Sequence, residues 1–388
     1  MIYNNFSKRI PRIPDPLPMG SYHPKDVIFL LKNLNGLLTE TDLQTREKSI
    51  QSSGHYSEML PIEYQPTEEY TNLFHQTLRE CAFKVAEAVG VVAELILKRN
   101  GREMVLVSLA RGGTPIGALI KRYLLEIHDL DLPHYSISII RGRGIDENAI
   151  LYILQNHPGS KLQFIDGWTG KGAITGVLSQ ACTEFKVKYG YELDRDLAVL
   201  ADPGYCVKTF GTREDFLIPS ACLNSTVSGL VSRTVFRKDL IGENDFHGAR
   251  FYQELHKEDV SNLFVDTISA EFKGLGPLST SDISAKVEVT WQGLKQLRVI
   301  KEKFGVYDIN FIKPGIGETT RVLMRRLAER ILVNHLEDPK LKHILLLAKD
   351  KGVQVEEYPD LTYACCGIVK RLYSEEHVDE PSPGGTRC

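Results

Sequence analysis

Asp166 stands in the run FIDGWTGKGAIT (164–175), at the end of an apolar stretch and in front of a glycine-rich turn. A carboxylate placed there can grip vicinal hydroxyls. The bare backbone from Thr169 through Gly170, Lys171 and Gly172 to Ala173 lets several amides close on one anion. A second turn of this kind, ARGGTPIG, follows VLVSL. Its Ala110, Gly112, Gly113 and Thr114 lie at a helix start, whose dipole favours negative charge, and Arg111 adds a planar donor for phosphate oxygens. A third loop, RGRGID, follows SISII and carries Arg141 and Arg143 beside Gly142 and Gly144. Two anion cradles, a basic flap and one carboxylate suit a sugar flanked by two phosphate groups, which is the shape of phosphoribosyl pyrophosphate.

These loops need strands to hold them. EMVLVSLA (103–110), HYSISII (134–140), LQFIDG (162–167) and LAVLAD (197–202) are short β-rich runs, separated by helical stretches at 114–127, 146–156 and 173–189. Near-continuous apolar strands alternating with helices predict a three-layer α/β fold with a parallel sheet covered on both faces. Such sheets bind ligands beyond the carboxyl ends of their strands. Apolar residues at helical spacing from Tyr70 to Lys98 predict a long amphipathic helix. Residues 1–66 read as an irregular extension with one short helix in PKDVIFLLKNL, and 67–272 as the main domain. Ser220 to Arg233 would form either a hood bringing Asn224, Ser225 and Thr226 to a base or sugar, or a capped helix. The Gly/Ser-rich stretch at 273–290 reads as a linker, 291–373 as a second, smaller α/β domain, and the polar, Pro/Gly-rich 374–388 as a disordered tail.

A net charge of -3 implies no whole-molecule field for nucleic acid or membrane, so any anion site must be local. The proline-cut N-terminus has no signal-peptide core, and no window approaches the roughly 18 apolar residues of a membrane helix. Seven irregularly spaced cysteines fit reduced thiols in a cytoplasm, and no Cys/His spacing suggests zinc.

The segments GSYHPKDVIFLLK, SGHYSEMLP, SLARGGTPIGALIKRYL, PHYSISIIRGRGID, FIDGWTGKGAI, GTREDFLIPSACLNSTVSGLVSRTV and DFHGARFY resemble the StiP family from about Gly20 to Phe272. This is the phosphoribosyltransferase-like group associated with bacterial tellurium-resistance-type stress operons. KPGIGETTRVLMRR and YACCGIVKRL are similar to a Pelota-type RNA-binding domain. The resemblance implies a phosphoribosyltransferase fold, with the Gly112 turn on pyrophosphate and the Asp166 turn on ribose and its 5-phosphate. Many such enzymes have a second acid where Gly167 stands, so ribose contact would rest on Asp166 alone. Their phosphate loop often reads Thr-Gly where this chain has Lys171-Gly172. The expected reaction transfers ribose 5-phosphate to or from a base-like acceptor. Mg2+ would accompany phosphoribosyl pyrophosphate with Asp166 as its protein carboxylate, and Arg111, Arg141 and Arg143 would steady the departing diphosphate.

The family also carries the name of a cysteine protease. That alternative takes Cys222 as nucleophile and His247 as base, with Asn224 or Asp245 orienting it. A non-catalytic nucleotide sensor is a third possibility. Partners implied are a small phosphoribosyl substrate, other products of the stress operon, and RNA held by Gly317, Arg321 and Arg325 at a helix start.

Overall fold

Long apolar strands must be covered on both faces, and the chain does this around one parallel sheet. The computed structural model describes residues 12–42, 55–63, 65–280 and 288–371. Six strands, β1 (Ile28–Leu30), β2 (Met104–Ala110), β3 (His134–Ile140), β4 (Lys161–Trp168), β5 (Leu197–Ala201) and β6 (Thr209–Thr212), run in the order β1-β3-β2-β4-β5-β6, all parallel. The helices between them are α1 (Glu68–Asn100), α2 (Thr114–His128), α3 (Glu147–Asn156) and α4 (Ala173–Tyr189).

Side-chain alternation divides each strand between two cores. Leu106, Ile165 and Leu200 face Val89 and Ile96 of α1 and Leu119 and Tyr123 of α2. Val107, Phe164 and Val199 face Ile150 of α3 and Leu178 and Phe185 of α4. Each fully buried side chain of this size contributes about 1.5–3 kcal/mol relative to exposure. Two more helices, α5 (Ser261–Ser269) and α6 (Phe272–Leu275), add Phe264, Val265, Ile268 and Phe272 to the α1/α2 side.

The chain leaves β2 towards β3 on one side and reaches β4 on the other, so the strand order reverses between β2 and β4. A crevice opens at such a point. Here the two glycine-rich turns lie side by side. A methyl group on Gly113 would fall 2.4 Å from the Ile165 carbonyl, and one on Gly167 would fall 2.8 Å from the Gly112 carbonyl.

PKDVIFLLKNL does not form the expected short helix. Ile28–Leu30 pairs with Tyr135–Ile137 as the sheet's edge strand, and Lys32–Asn33 pairs with Gly248–Ala249. A short unbroken apolar run has no helical stripe of its own, and the open edge of β3 decides its state. The region expected as a hood or a capped helix holds two 3-10 turns, Pro219–Ala221 and Ser225–Val227, followed by bridges from Val231 to Phe251 and from Val235 to Gly248.

The smaller unit has a mixed sheet. Strands β7 (Ile312–Pro314), β8 (Ala328–Val333), β9 (Gln354–Glu357) and β10 (Cys365–Val369) lie in the order β7-β10-β8-β9, with only β8 and β9 parallel. Helices α7 (Gln292–Lys303), α8 (Ile316–Arg325) and α9 (Lys342–Asp350) accompany it. The stretch expected as a linker begins inside α6, and its residues 281–287 lie outside the described residues, as does the expected tail. The units share one buried cluster: Phe216, Leu217 and Ile218 belong with Ile316, Leu323, Val333 and Ile344. No helix among the described residues is long and apolar enough to cross a membrane.

Candidate functional site

The Asp166 carboxylate sits at the β2/β4 crevice. Its Oδ1 accepts the Gly167 amide at 2.7 Å, and a methyl group on Gly112 would fall 3.3 Å from the same oxygen. Only glycine leaves that space between the two turns.

The turn after β2 begins with a cis peptide bond between Ala110 and Arg111. The Gly113 amide donates to the Leu109 carbonyl at 3.0 Å, and the Thr114 amide to the Arg111 carbonyl at 3.1 Å. The Thr114 hydroxyl lies 2.7 Å from that of Ser136, beneath the sheet end. Two amides and one hydroxyl expected to meet an anion are thus engaged within the fold, and Gly112 is the exposed point of the turn. Arg111 is drawn sideways. Its guanidinium donates to the Val231 carbonyl at 3.1 Å and lies 3.6 Å from Glu63, which itself accepts from the Ser225 amide and hydroxyl.

The turn after β4 is built differently from the expectation, because the C-terminal unit packs on it. The Thr169 amide donates to Ala201, and the Gly172 amide to the Thr169 hydroxyl. Tyr363 donates its hydroxyl to the Gly170 carbonyl at 2.6 Å. Gly172 adopts φ +68°, and a methyl there would come within 2.2 Å of the Trp291 ring. Lys171 donates to the Ile309 carbonyl at 2.9 Å and to Asn310 at 3.3 Å, so its ammonium ties the units together. Burial, with Lys313 and Arg141 nearby, pushes its pKa down to about 7. Ala173 opens α4, partly exposed.

RGRGID forms a tight return in which Gly144–Ile145 pairs antiparallel with the end of β3. The Arg141 amide donates to the Tyr56 hydroxyl at 2.7 Å, and its carbonyl lies 2.9 Å from His55 Nε2, so the backbone is pinned while the residue stays exposed. Arg143 pairs with Glu58 at 2.5 Å and lines a separate surface pocket with Phe236, Arg237, Lys238 and Asp239.

Helix α8 closes the crevice from the other unit. A methyl on Gly315 would sit 2.5 Å from the Trp168 ring, two residues beyond Asp166. The helix N-terminus is already capped: Asp215 accepts the Ile316 amide at 3.0 Å and the Ala364 amide at 2.9 Å. Gly317 packs towards Ala221. Arg321 donates to the Ala221 carbonyl at 3.4 Å and to Glu318 at 3.2 Å. The start of α8, read from sequence as an RNA cradle, therefore faces protein. The Arg325 side chain lies outside the described residues.

One electrostatic cluster results. Burial pushes Asp166 up to about 6, opposed by the Gly167 amide and by the charges of Arg321 and Arg141, while Glu318 adds to the rise. Burial acts the same way on Glu318, but Arg321, Lys313 and Arg141 outweigh it and lower its pKa. Sequence reasoning assigned Arg321 to RNA and passed over Glu318 and Lys313. The only local signal was the Glu318–Arg321 pair three residues apart at a helix start.

Cys222 and His247 lie in different surroundings. Cys222 is 0% exposed in the apolar cluster that contains Leu217 and Ile218. The His247 ring is 2.9 Å from the Ser138 hydroxyl, its amide donates to Asp146, and Phe236 packs 4.7 Å away. Asp245 pairs with Lys32 at 2.6 Å. Burial pushes the thiols of Cys182, Cys206 and Cys366 up to about 12. Among the described residues, no group of three or more His, Cys, Asp or Glu side chains forms a metal cage. A lone carboxylate beside a diphosphate suits Mg2+ that arrives bound to its substrate and keeps several waters.

Residues 20–269 match the family profile described as "Tellurite-like stress resistance cysteine protease StiP", and residues 291–371 match that of the PELOTA RNA binding domain. A relative named "Cysteine protease StiP", from Acinetobacter baylyi, is 32% identical over 361 residues, spanning 88% of this chain and 93% of its own.

Proposed function

The chain belongs to the StiP family, and from that premise we propose that it binds Mg-phosphoribosyl pyrophosphate at the β2/β4 crevice and transfers ribose 5-phosphate to or from a base-like acceptor. The observation that carries this reading is the approach of the Gly112 turn to within 3.3 Å of Asp166 at the reversal of strand order. In the transfer direction the bond from C1 to the diphosphate oxygen breaks and its electron pair leaves with the diphosphate. The acceptor's lone pair then forms the new bond at C1. Asp166 orients the ribose hydroxyls, and Arg111 and Arg141 supply positive charge where negative charge develops. Bound to the diphosphate, Mg2+ neutralises part of that charge. Positioning contributes much of the rate.

Calorimetric titration of the full chain with Mg-phosphoribosyl pyrophosphate tests this. Binding in the wild type, weakened about tenfold or more in Asp166→Asn, is expected from the loss of a charge-assisted hydrogen bond. No binding in the wild type overturns it. Binding that depends on Asp166 without diphosphate release, whatever base is supplied, makes the protein a sensor.

The relatives' name favours a second reading, a peptidase. It requires movement that exposes Cys222 and brings a base to it. Peptide cleavage abolished by Cys222→Ala and kept by Asp166→Asn establishes that reading in place of the first. Either chemistry fits a reduced, cytoplasmic setting alongside other products of a stress operon, with RNA as a further partner of the C-terminal unit.

A further inference from the structure

Lys171 is the cation that the sequence places beside the sugar-phosphate turn, yet its ammonium is held by Ile309 and Asn310 of the C-terminal unit. Two of the turn's amides, those of Thr169 and Gly172, are bonded within the main unit. A phosphate arriving there needs positive charge from elsewhere. Two guanidinium groups lie close enough to Asp166 to act on its ionisation, those of Arg141 and Arg321. They come from different units, Arg141 from the hairpin after β3 and Arg321 from α8.

We infer that Arg321, together with Arg141, holds the 5-phosphate of the phosphoribosyl ligand, so that the small-molecule site is built from both units. This rests on the reading proposed above.

The geometry of α8 supports the role. Asp215 caps the helix, and Gly315 packs under Trp168, which fixes the helix against the end of β4. Arg321 is 40% exposed, and its two hydrogen bonds, 3.4 Å to Ala221 and 3.2 Å to Glu318, are both long. A guanidinium has five N–H donors in a planar fork that matches phosphate oxygens. Glu318 holds that fork in place without covering it, as a carboxylate beside a phosphate-binding arginine can. The RNA expected at this helix would instead have to approach a start that is turned against Ala221 and Trp168.

Ribose 5-phosphate and inorganic diphosphate, titrated separately into the full chain at two ionic strengths, test the inference. Arg321→Gln is expected to weaken ribose 5-phosphate binding about tenfold or more. It should leave diphosphate within about twofold, and flatten the salt dependence of sugar-phosphate binding because one ionic contact is gone. Arg321→Lys should restore part of the affinity, and an unchanged melting temperature in both variants shows that the fold is intact. If Arg321→Gln binds ribose 5-phosphate like the wild type while Asp166→Asn does not, the C-terminal unit stands outside the site and only this inference falls. If the wild type binds neither compound, the phosphoribosyl reading fails and carries this one with it. If Arg321→Gln loses a short single-stranded RNA but keeps the sugar phosphate, α8 serves RNA and the inference is overturned.

Discussion

At the scale of single residues, Asp166 joins chemistry to pH. Its carboxyl is raised from 3.8 to about 6, chiefly by burial. The folded chain therefore keeps a proton that the unfolded chain has lost between those values, and on this account stability falls as pH rises through that window. Ligand binding needs the opposite charge state, because only the carboxylate accepts from two ribose hydroxyls. Affinity for ribose 5-phosphate is expected to rise from pH 5 to 7, in part through the phosphate's own ionisation near pH 6. Asp166→Asn should retain the phosphate's part alone, which parallel pH titrations of the two proteins will separate. Gly172 gives a prediction about packing. With φ at +68° and the Trp291 ring where a methyl would go, Gly172→Ala is expected to cost about 1–3 kcal/mol, read as a lower denaturant midpoint. The acid and both glycine-rich turns were legible as a string. That Gly170 and Gly172 are bare partly to admit Trp291, Pro314 and Tyr363 was not, because those rings lie more than a hundred residues away.

At the scale of elements, periodicity read the repetitive parts well. HYSISII and the helical stretch 173–189 occupy the spans expected, and β2, β4 and β5 begin and end within about a residue of expectation. β1 was misread as helix because five consecutive apolar residues carry no period, and its pairing partner lies a hundred residues along the chain. The short strand β6 hid in KTFGT for the same reason. Helix α8 is the element on which the two-unit site depends, and Asp215 is its anchor. Asp215→Ala would leave the buried Ile316 and Ala364 amides without their acceptor, at about 1–3 kcal/mol each. Faster hydrogen exchange across 316–325 is expected, with weaker sugar-phosphate binding as a consequence.

At the scale of the whole molecule, sequence suggested two domains on a Gly/Ser-rich tether. The structure instead gives them a continuous apolar cluster, with Leu217 and Ile218 from one side and Leu323, Val333 and Ile344 from the other. Elements that share a core unfold together, so calorimetry is expected to show one cooperative transition. Two well-separated transitions would show that the interface contributes little. The same interface places the family's RNA-binding-type unit over a phosphoribosyltransferase-like crevice, which links whatever the small unit binds to the occupancy of the large one.

The most direct measurement is a crystal structure of the full chain with Mg-phosphoribosyl pyrophosphate. The diphosphate should lie against Gly112, the ribose hydroxyls on Asp166 and the 5-phosphate beside Arg321 and Arg141. A ligand bound away from the β2/β4 crevice, or phosphates that meet neither turn, would contradict the phosphoribosyl assignment.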